Sequence, residues 1–419
     1  MLVAAKRSLA KFFAALGFGV CSLVVFAAVL EFASWAIWSV AQRSAFPQGS
    51  ELQKISPAYQ GESWAAEFWQ EEPRRQKSHK VYVPFRVWGV TNWHGKYVNN
   101  DEGKTGIWRR TINPAPDKCK TRTVGIWTFG GSTMYGTGVP DWATLPSYLS
   151  RDLNAASSEC VEVSNFGVEG YLTNQELILL MEQLKAGGHP DMVIFYDGLN
   201  DAGAAGPSSG PPKPHFYIET IKPRVEGTVG ARFDFIRETY AFRIAKAMQG
   251  FFSRRHSSGS VLNELHTKAV ATLDNYEANL RVAKALARAY NFRIYCFWQP
   301  SLYYGQKPLV PFEKQIPEIA TRDPWALIVT AVYQEAESRA ASTGEFIFLG
   351  GIFDSVKEPV YIDQGHLGPL GNELAAQAVA QYIQGHSENS VSPALHRSGS
   401  RQNKILGSTP LAAEARQEP

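Results

Sequence analysis

Hydrophobic patterning divides the chain into three parts. Phe12 to Leu30 form an unbroken apolar stretch of 19 residues with neither a charge nor a proline. From residue 121 onward, short apolar runs alternate with longer segments of helical period. The runs are Val124 to Phe129, Val161 to Phe166, Met192 to Tyr196, Phe292 to Trp298 and Glu345 to Leu349. Each is short enough for a buried strand. Helices are expected over Asn174 to Lys185, with Thr173 as N-cap, and over Leu262 to Tyr290, Asp323 to Ala341 and Asn372 to Ile383. Strands alternating with helices predict a parallel sheet covered on both faces and joined by right-handed crossovers. Between them, residues 44–120 are polar and aromatic with no long period, and hold Trp64, Trp69, Trp88, Trp93 and Trp108. These rings are expected as packing anchors, with a sugar-binding surface as the alternative.

The first stretch is long enough, as a helix of about 1.5 Å per residue, to cross most of a ~30 Å hydrocarbon core. Lys6, Arg7 and Lys11 precede it, and the next cation is Arg43. The positive-inside rule then leaves residues 1–11 in the cytoplasm, 12–38 as a transmembrane anchor and the remainder outside, which is a periplasm if the cell has two membranes. The alternative is a signal peptide cleaved after Ser39-Val40-Ala41, but the apolar stretch exceeds the ~7–15 residues of a signal core. Cys21 falls in this helix and is expected to face lipid or pack there.

The domain predicted over 121–385 is interrupted at 202–261. This insertion opens with the irregular Gly206 to Pro214 and has room for a helix within Phe233 to Phe252. It is expected as a solvated excursion, or as a lid, since it follows a strand end where ligands approach such sheets. Residues 386–419 read as a disordered tail rich in Ser, Pro, Ala and Gln.

Composition narrows the chemistry. The 419 residues carry 42 basic and 39 acidic side chains, a net charge of +3. This balance, with no Lys/Arg block, gives no ground for a nucleic-acid partner. Four cysteines without a Cys-x-x-Cys pair exclude a disulfide-dense scaffold and a zinc ribbon. The histidines outside the tail are scattered and form no His-Glu-x-x-His, so no metal centre is expected.

Four motifs fall beyond the carboxyl ends of predicted strands, where open parallel sheets place their sites. They are Gly130-Gly131-Ser132, Asn165 to Gly170, Gly198-Leu199-Asn200-Asp201 and Asp363-Gln364-Gly365-His366. Gly131 and Gly136 have phosphate-loop spacing but no lysine follows, and Met134 replaces the last glycine of a nucleophile elbow. Taken singly, Asn200-Asp201 could be a helix cap and His366 a surface histidine.

Taken in this order, the four blocks resemble the SGNH/GDSL hydrolase superfamily across residues 121–385. Gly131 and Thr133 depart from the family's Gly-Asp-Ser-Leu, while the serine is kept. The resemblance implies a three-layer α/β/α sandwich with about five parallel strands, preceded here by the transmembrane helix. It implies Ser132 as nucleophile, His366 as its base and Asp363 as the group orienting the imidazole. It also implies an oxyanion hole from the Ser132 and Gly167 N–H groups and the Asn200 amide. In the superfamily's sheet the first two strands are neighbours, so Cys119 and Cys160 are expected to be able to form a disulfide outside the cytoplasm. Cys296, inside an apolar run, is expected in the core.

The function so implied is an esterase acting by acyl transfer on O-acyl, especially acetyl, esters of cell-surface carbohydrate, and this acyl chemistry needs no cofactor. The alternatives are an acyltransferase with the same triad, a lipid esterase near the bilayer, and a catalytically silent glycan-binding or assembly protein.

Overall fold

The structure, a computed structural model, describes residues 2–43, 49–78, 80–103, 105–114, 122–156, 159–205, 212–227, 239–253, 259–320 and 324–387. Its strands are β1 (Lys80–Val83), β2 (Val87–Val90), β3 (Trp93–His94), β4 (Asn99–Gly103), β5 (Gly106–Arg109), β6 (Thr123–Gly130), β7 (Cys160–Asn165), β8 (Met192–Asp197), β9 (Arg293–Trp298) and β10 (Ile347–Phe348). β1 and β2 form a separate hairpin, and the other eight make one sheet ordered β10-β9-β8-β6-β7-β5-β4-β3.

The block β10-β9-β8-β6-β7 is parallel, matching the apolar runs. Every residue of β8 is buried, because successive side chains enter opposite layers. Met192, Ile194 and Tyr196 pack with Leu145 and Leu149 of the Leu145–Ala156 helix and Ala376 and Val379 of the Pro369–Ser387 helix. Val193 and Phe195 pack into the opposite layer, with Leu179 of the Thr173–Lys185 helix, Leu273 and Tyr276 of the Gly259–Tyr290 helix, and Val332 of the Pro324–Thr343 helix. The result is a three-layer α/β/α sandwich. Cys296 is buried within it. Strand order reverses at β6, which lies between the β7 that follows it and the later β8, and the crevice beyond its carboxyl end is the place for a ligand.

The lead-in segment belongs to this domain. β5 joins the β7 edge in antiparallel fashion through Arg109 and Asn165, and β4 and β3 extend the sheet further. The sheet is therefore mixed, with three antiparallel strands beyond the five expected. The lead-in tryptophans mostly pack: Trp88 is buried, and Trp64, Trp69 and Trp93 cover a small core of Phe68, Tyr97 and Val98.

The N-terminal helix runs from Leu2 to Arg43, and Phe13–Val40 within it is long and apolar enough to cross a membrane. The insertion contributes helices Ile218–Val225 and Tyr240–Ser253, while 206–211 and 228–238 lie outside the described residues. Cys160 is disulfide-bonded, and the expected partner Cys119 lies outside the described residues, as does the tail beyond Ser387.

Thr173 does not cap its helix. Leu172 holds the N-cap position, and Thr173 is the first helical residue. Its hydroxyl and N–H both donate to the buried carboxylate of Asp201, which takes the capping role from outside the helix.

Candidate functional site

β6 ends at Gly130, and the chain turns at Gly131 into a single helical turn, Ser132–Tyr135. Asn165, at the end of the neighbouring β7, holds that turn by donating from Nδ2 to Met134 O at 3.0 Å. Ser132 is thereby fixed, half-buried, at the carboxyl edge of the strand around which the sheet reverses.

The Asp363 to His366 turn comes from the opposite end of the domain sequence. It is closed by the Ile362 N–H donating to His366 O at 2.9 Å. His366 Nε2 lies 2.7 Å from Ser132 Oγ, and its Nδ1 lies 2.7 Å from Asp363 Oδ2. The other carboxylate oxygen, Oδ1, accepts the N–H groups of Gly365 at 2.9 Å and His366 at 2.8 Å. With Nδ1–H donating to Asp363, Nε2 is the lone-pair nitrogen that faces the hydroxyl.

A further donor was not legible in the sequence. Gln53, on the short Ser50–Gln53 helix of the lead-in segment, donates from Nε2 to Asp363 Oδ2 at 2.7 Å and lies 3.4 Å from His366 Nδ1. Burial favours the neutral form of Asp363, but the His366 imidazole and the surrounding donors outweigh it and hold the carboxyl well below the usual carboxylate range. Burial likewise opposes a charge on His366. The Asp363 carboxylate, with a smaller contribution from Glu169, reverses this and raises the His366 pKa above its ordinary value.

Glu169 lies within the glycine block but carries no role in the sequence reading. Its Oε1 accepts from Thr137 Oγ1 at 2.6 Å and from Arg75 Nη2 at 3.2 Å. Arg75, fully buried, is also paired with Glu72 and donates to Tyr135 Oη at 3.0 Å. The Ala65–Ser78 helix of the lead-in thus braces the turn behind Ser132 with a buried ion pair.

Of the expected oxyanion donors, Asn200 stands over Gly131. Its Nδ2 donates to Tyr171 O at 2.8 Å, which leaves its second N–H available. A Cβ at Gly131 would collide with this amide nitrogen, so a side chain here requires Asn200 to move. Thr133, the other departure, donates to Gln299 at 3.0 Å. Gly167 sits so close to the Met134–Tyr135 backbone that a Cβ would collide with it, but its N–H is engaged, donating to Asn165 Oδ1 at 2.9 Å. Gly170, with φ of 81°, follows on the same turn, and its N–H has no acceptor among the described residues.

Among the described residues no group of His, Cys, Asp and Glu could hold a metal ion.

No protein-family model matches the chain. No curated protein matches it either. Among solved structures, the chain is similar to a member of the lipolytic G-D-S-L family from Veillonella parvula, at 12% identity and TM-score 0.32, over 63% of this chain and 99% of that one. It is similar to an acetylxylan esterase from Geobacillus stearothermophilus at 15% identity and TM-score 0.31, over 62% of this chain and 94% of that one. A lipase/acylhydrolase from Enterococcus faecalis aligns at 17% identity and TM-score 0.32, over 63% of this chain and 96% of that one. The site itself sets a hydroxyl, an imidazole and a carboxylate in series, the groups that acyl transfer through a serine ester requires.

Proposed function

We propose that the protein is a serine esterase, anchored in a membrane by its N-terminal helix and working on the side away from the cytoplasm. The observation that carries this reading is the 2.7 Å approach of His366 Nε2 to Ser132 Oγ, with Asp363 2.7 Å behind the imidazole. Ser132 Oγ attacks the ester carbonyl as His366 takes its proton. His366 then passes that proton to the leaving alcohol, leaving an acyl group on Ser132. Water, activated by the same imidazole, releases the acid and restores the serine. Asp363 orients the ring and stabilises its cationic form.

The tetrahedral oxyanion is held by the Ser132 N–H and the second N–H of the Asn200 amide. Because the Gly167 N–H is already engaged with Asn165, we assign the third donor to the unoccupied N–H of Gly170. Each such donor is typically worth about 3 kcal/mol of transition-state stabilisation.

Lys6, Arg7 and Lys11 before the apolar span, and a disulfide-bonded Cys160 in the domain, support the outward orientation. The substrate we infer is a small O-acyl ester, acetyl first, on cell-surface carbohydrate, the acyl carrier such a location offers. The test is a fluorophosphonate probe on the full chain in detergent, with the adduct mapped by mass spectrometry. Labelling of Ser132 that disappears in His366→Ala is the expected result. A folded protein that leaves Ser132 unlabelled overturns the reading.

A further inference from the structure

The insertion packs on the N-terminal helix and is bonded to it through one acidic residue. Glu31 Oε1 accepts the N–H of Tyr240 at 2.6 Å and its Oε2 accepts that of Ala241 at 3.1 Å. Thr239 Oγ1 takes the next N–H, from Phe242, at 3.2 Å. The first three N–H groups of the Tyr240–Ser253 helix are thus all satisfied, two of them by a carboxylate belonging to another helix. Ser34, one turn further along the N-terminal helix, is buried although most of the apolar residues around it are exposed.

Position and composition say what this helix faces. Counted from Phe13, Glu31 lies about 27 Å along the helix axis at ~1.5 Å per residue, close to the full ~30 Å of a hydrocarbon core. The insertion helix therefore starts near the depth at which a ~30 Å core would end, nine residues before the apolar span itself ends at Val40. Its apolar residues recur at Tyr240, Ala241, Ile244, Ala245 and Met248, with Arg243 and Lys246 on the other side, the pattern of a helix lying in a membrane interface. Ile244 is half-buried, while Phe242 and Met248 are exposed, at 37% and 53%. The insertion helix docks on the Glu31 to Ser39 stretch of the N-terminal helix, where Ser34 is buried, and leaves the most apolar window of the span uncovered by protein.

We propose that the Tyr240–Ser253 helix is a second membrane contact, lying in the outer bilayer interface and latched to the anchor by Glu31. Its partner is the lipid bilayer, with Met248 among the acyl chains and Arg243 and Lys246 at the headgroups. The inference rests on the reading of the N-terminal helix as a membrane anchor. The latch also removes the cost of an unpaired carboxylate at the end of an apolar span, since Glu31 receives two N–H donors and the positive end of a helix.

The test uses the full chain in phosphatidylethanolamine/phosphatidylglycerol vesicles, with bimane attached to single introduced cysteines in a background where both free thiols are removed, Cys21→Ser and Cys296→Ala. Labels go at Phe18→Cys in the span, at Met248→Cys, and at Leu327→Cys on the exposed face of the domain helix. Brominated acyl chains are expected to quench Phe18→Cys and Met248→Cys and leave Leu327→Cys bright. Adding Glu31→Ala is expected to cut the quenching at Met248→Cys while leaving that at Phe18→Cys intact. A Met248→Cys signal as bright as Leu327→Cys, with Phe18→Cys still quenched, overturns the second contact alone. Loss of quenching at Phe18→Cys overturns the anchor reading and this one with it.

Discussion

Gln53 and His366 donate to the same oxygen of Asp363, each at 2.7 Å, while the other oxygen accepts two backbone N–H groups. The carboxylate is shared between the imidazole it orients and a residue more than three hundred positions earlier. Replacing Gln53 by Ala removes one donor worth about 1 kcal/mol, so kcat/KM is expected to fall by less than about tenfold. The carboxylate left behind is more basic, so the His366 pKa rises and the acid limb of the pH–rate profile moves to higher pH. An unmoved acid limb would reduce Gln53 to a packing residue.

The acid limb is itself a prediction. The base must be neutral to take the Ser132 proton, so activity rises with pH through the His366 pKa. Asp363 and Glu169 hold that pKa above the ordinary histidine value. The midpoint of kcat/KM against pH is therefore expected above about 6.5. Glu169→Gln should move it down. Asp363→Asn should move it down further and cost on the order of 10⁴ in kcat.

Gly131→Asp restores the residue that the family pattern carries at this position, and we expect it to fail here. The new side chain must displace the Asn200 amide. Loss of that donor costs roughly 10²–10³ in kcat. Asn200→Ala should produce a similar loss, and the double variant little more than either alone. A fully active Gly131→Asp enzyme would show that Asn200 does not hold the oxyanion.

Behind the site, Glu176, Asp197 and Asp201 are buried together at the end of β8. Burial, reinforced by the neighbouring carboxylates, pushes Glu176 up and raises Asp197 to about 8, and burial against the opposing Thr173 hydrogen bonds raises Asp201 to about 6. In the unfolded chain these groups ionise near pH 4. Between that value and about pH 8 the unfolded state binds fewer protons than the folded one, so stability falls as pH rises. Asp197→Asn is expected to flatten this slope, read as Tm across the same pH range. An unchanged slope would place the titration elsewhere.

Buried charge braces the lead-in segment as well. Arg75→Leu leaves Glu72 and Glu169 without their partner, and the loss of stability is expected to be about 3–5 kcal/mol. Adding Glu72→Leu should recover part of it, because one uncompensated charge goes too. Chemical denaturation of the single and double variants gives both numbers.

How much of this was legible depended on whether the signal was local. The five parallel strands are short apolar runs, of which β8 is buried along its whole length, and the meeting of Ser132, Asn200, Asp363 and His366 at one edge followed from their placement after strand ends. β4 was not legible. Its sequence, Asn99-Asn100-Asp101-Glu102-Gly103, is entirely polar but for glycine, and its place in the sheet depends on distant partners: Asn99 pairs with Asp141, and Asn100 accepts from Tyr135. Gln53 gave no sign for the same reason. The Gly131 departure could be seen in the sequence, but its contact with the Asn200 amide could not, because the two are far apart along the chain.

The pairing of Gln53 with Asp363 also fixes when the site can be complete. Synthesis proceeds from the N-terminus, and domains form as their parts emerge. The nucleophile strand and its neighbours can pair early, yet the base and its carboxylate arrive only with residues 363–366, which must close onto a segment made hundreds of residues before. No nascent chain shorter than this holds the assembled Ser132–His366–Asp363 series, so on the function proposed above a chain still being made is inert until residues 363–366 have docked.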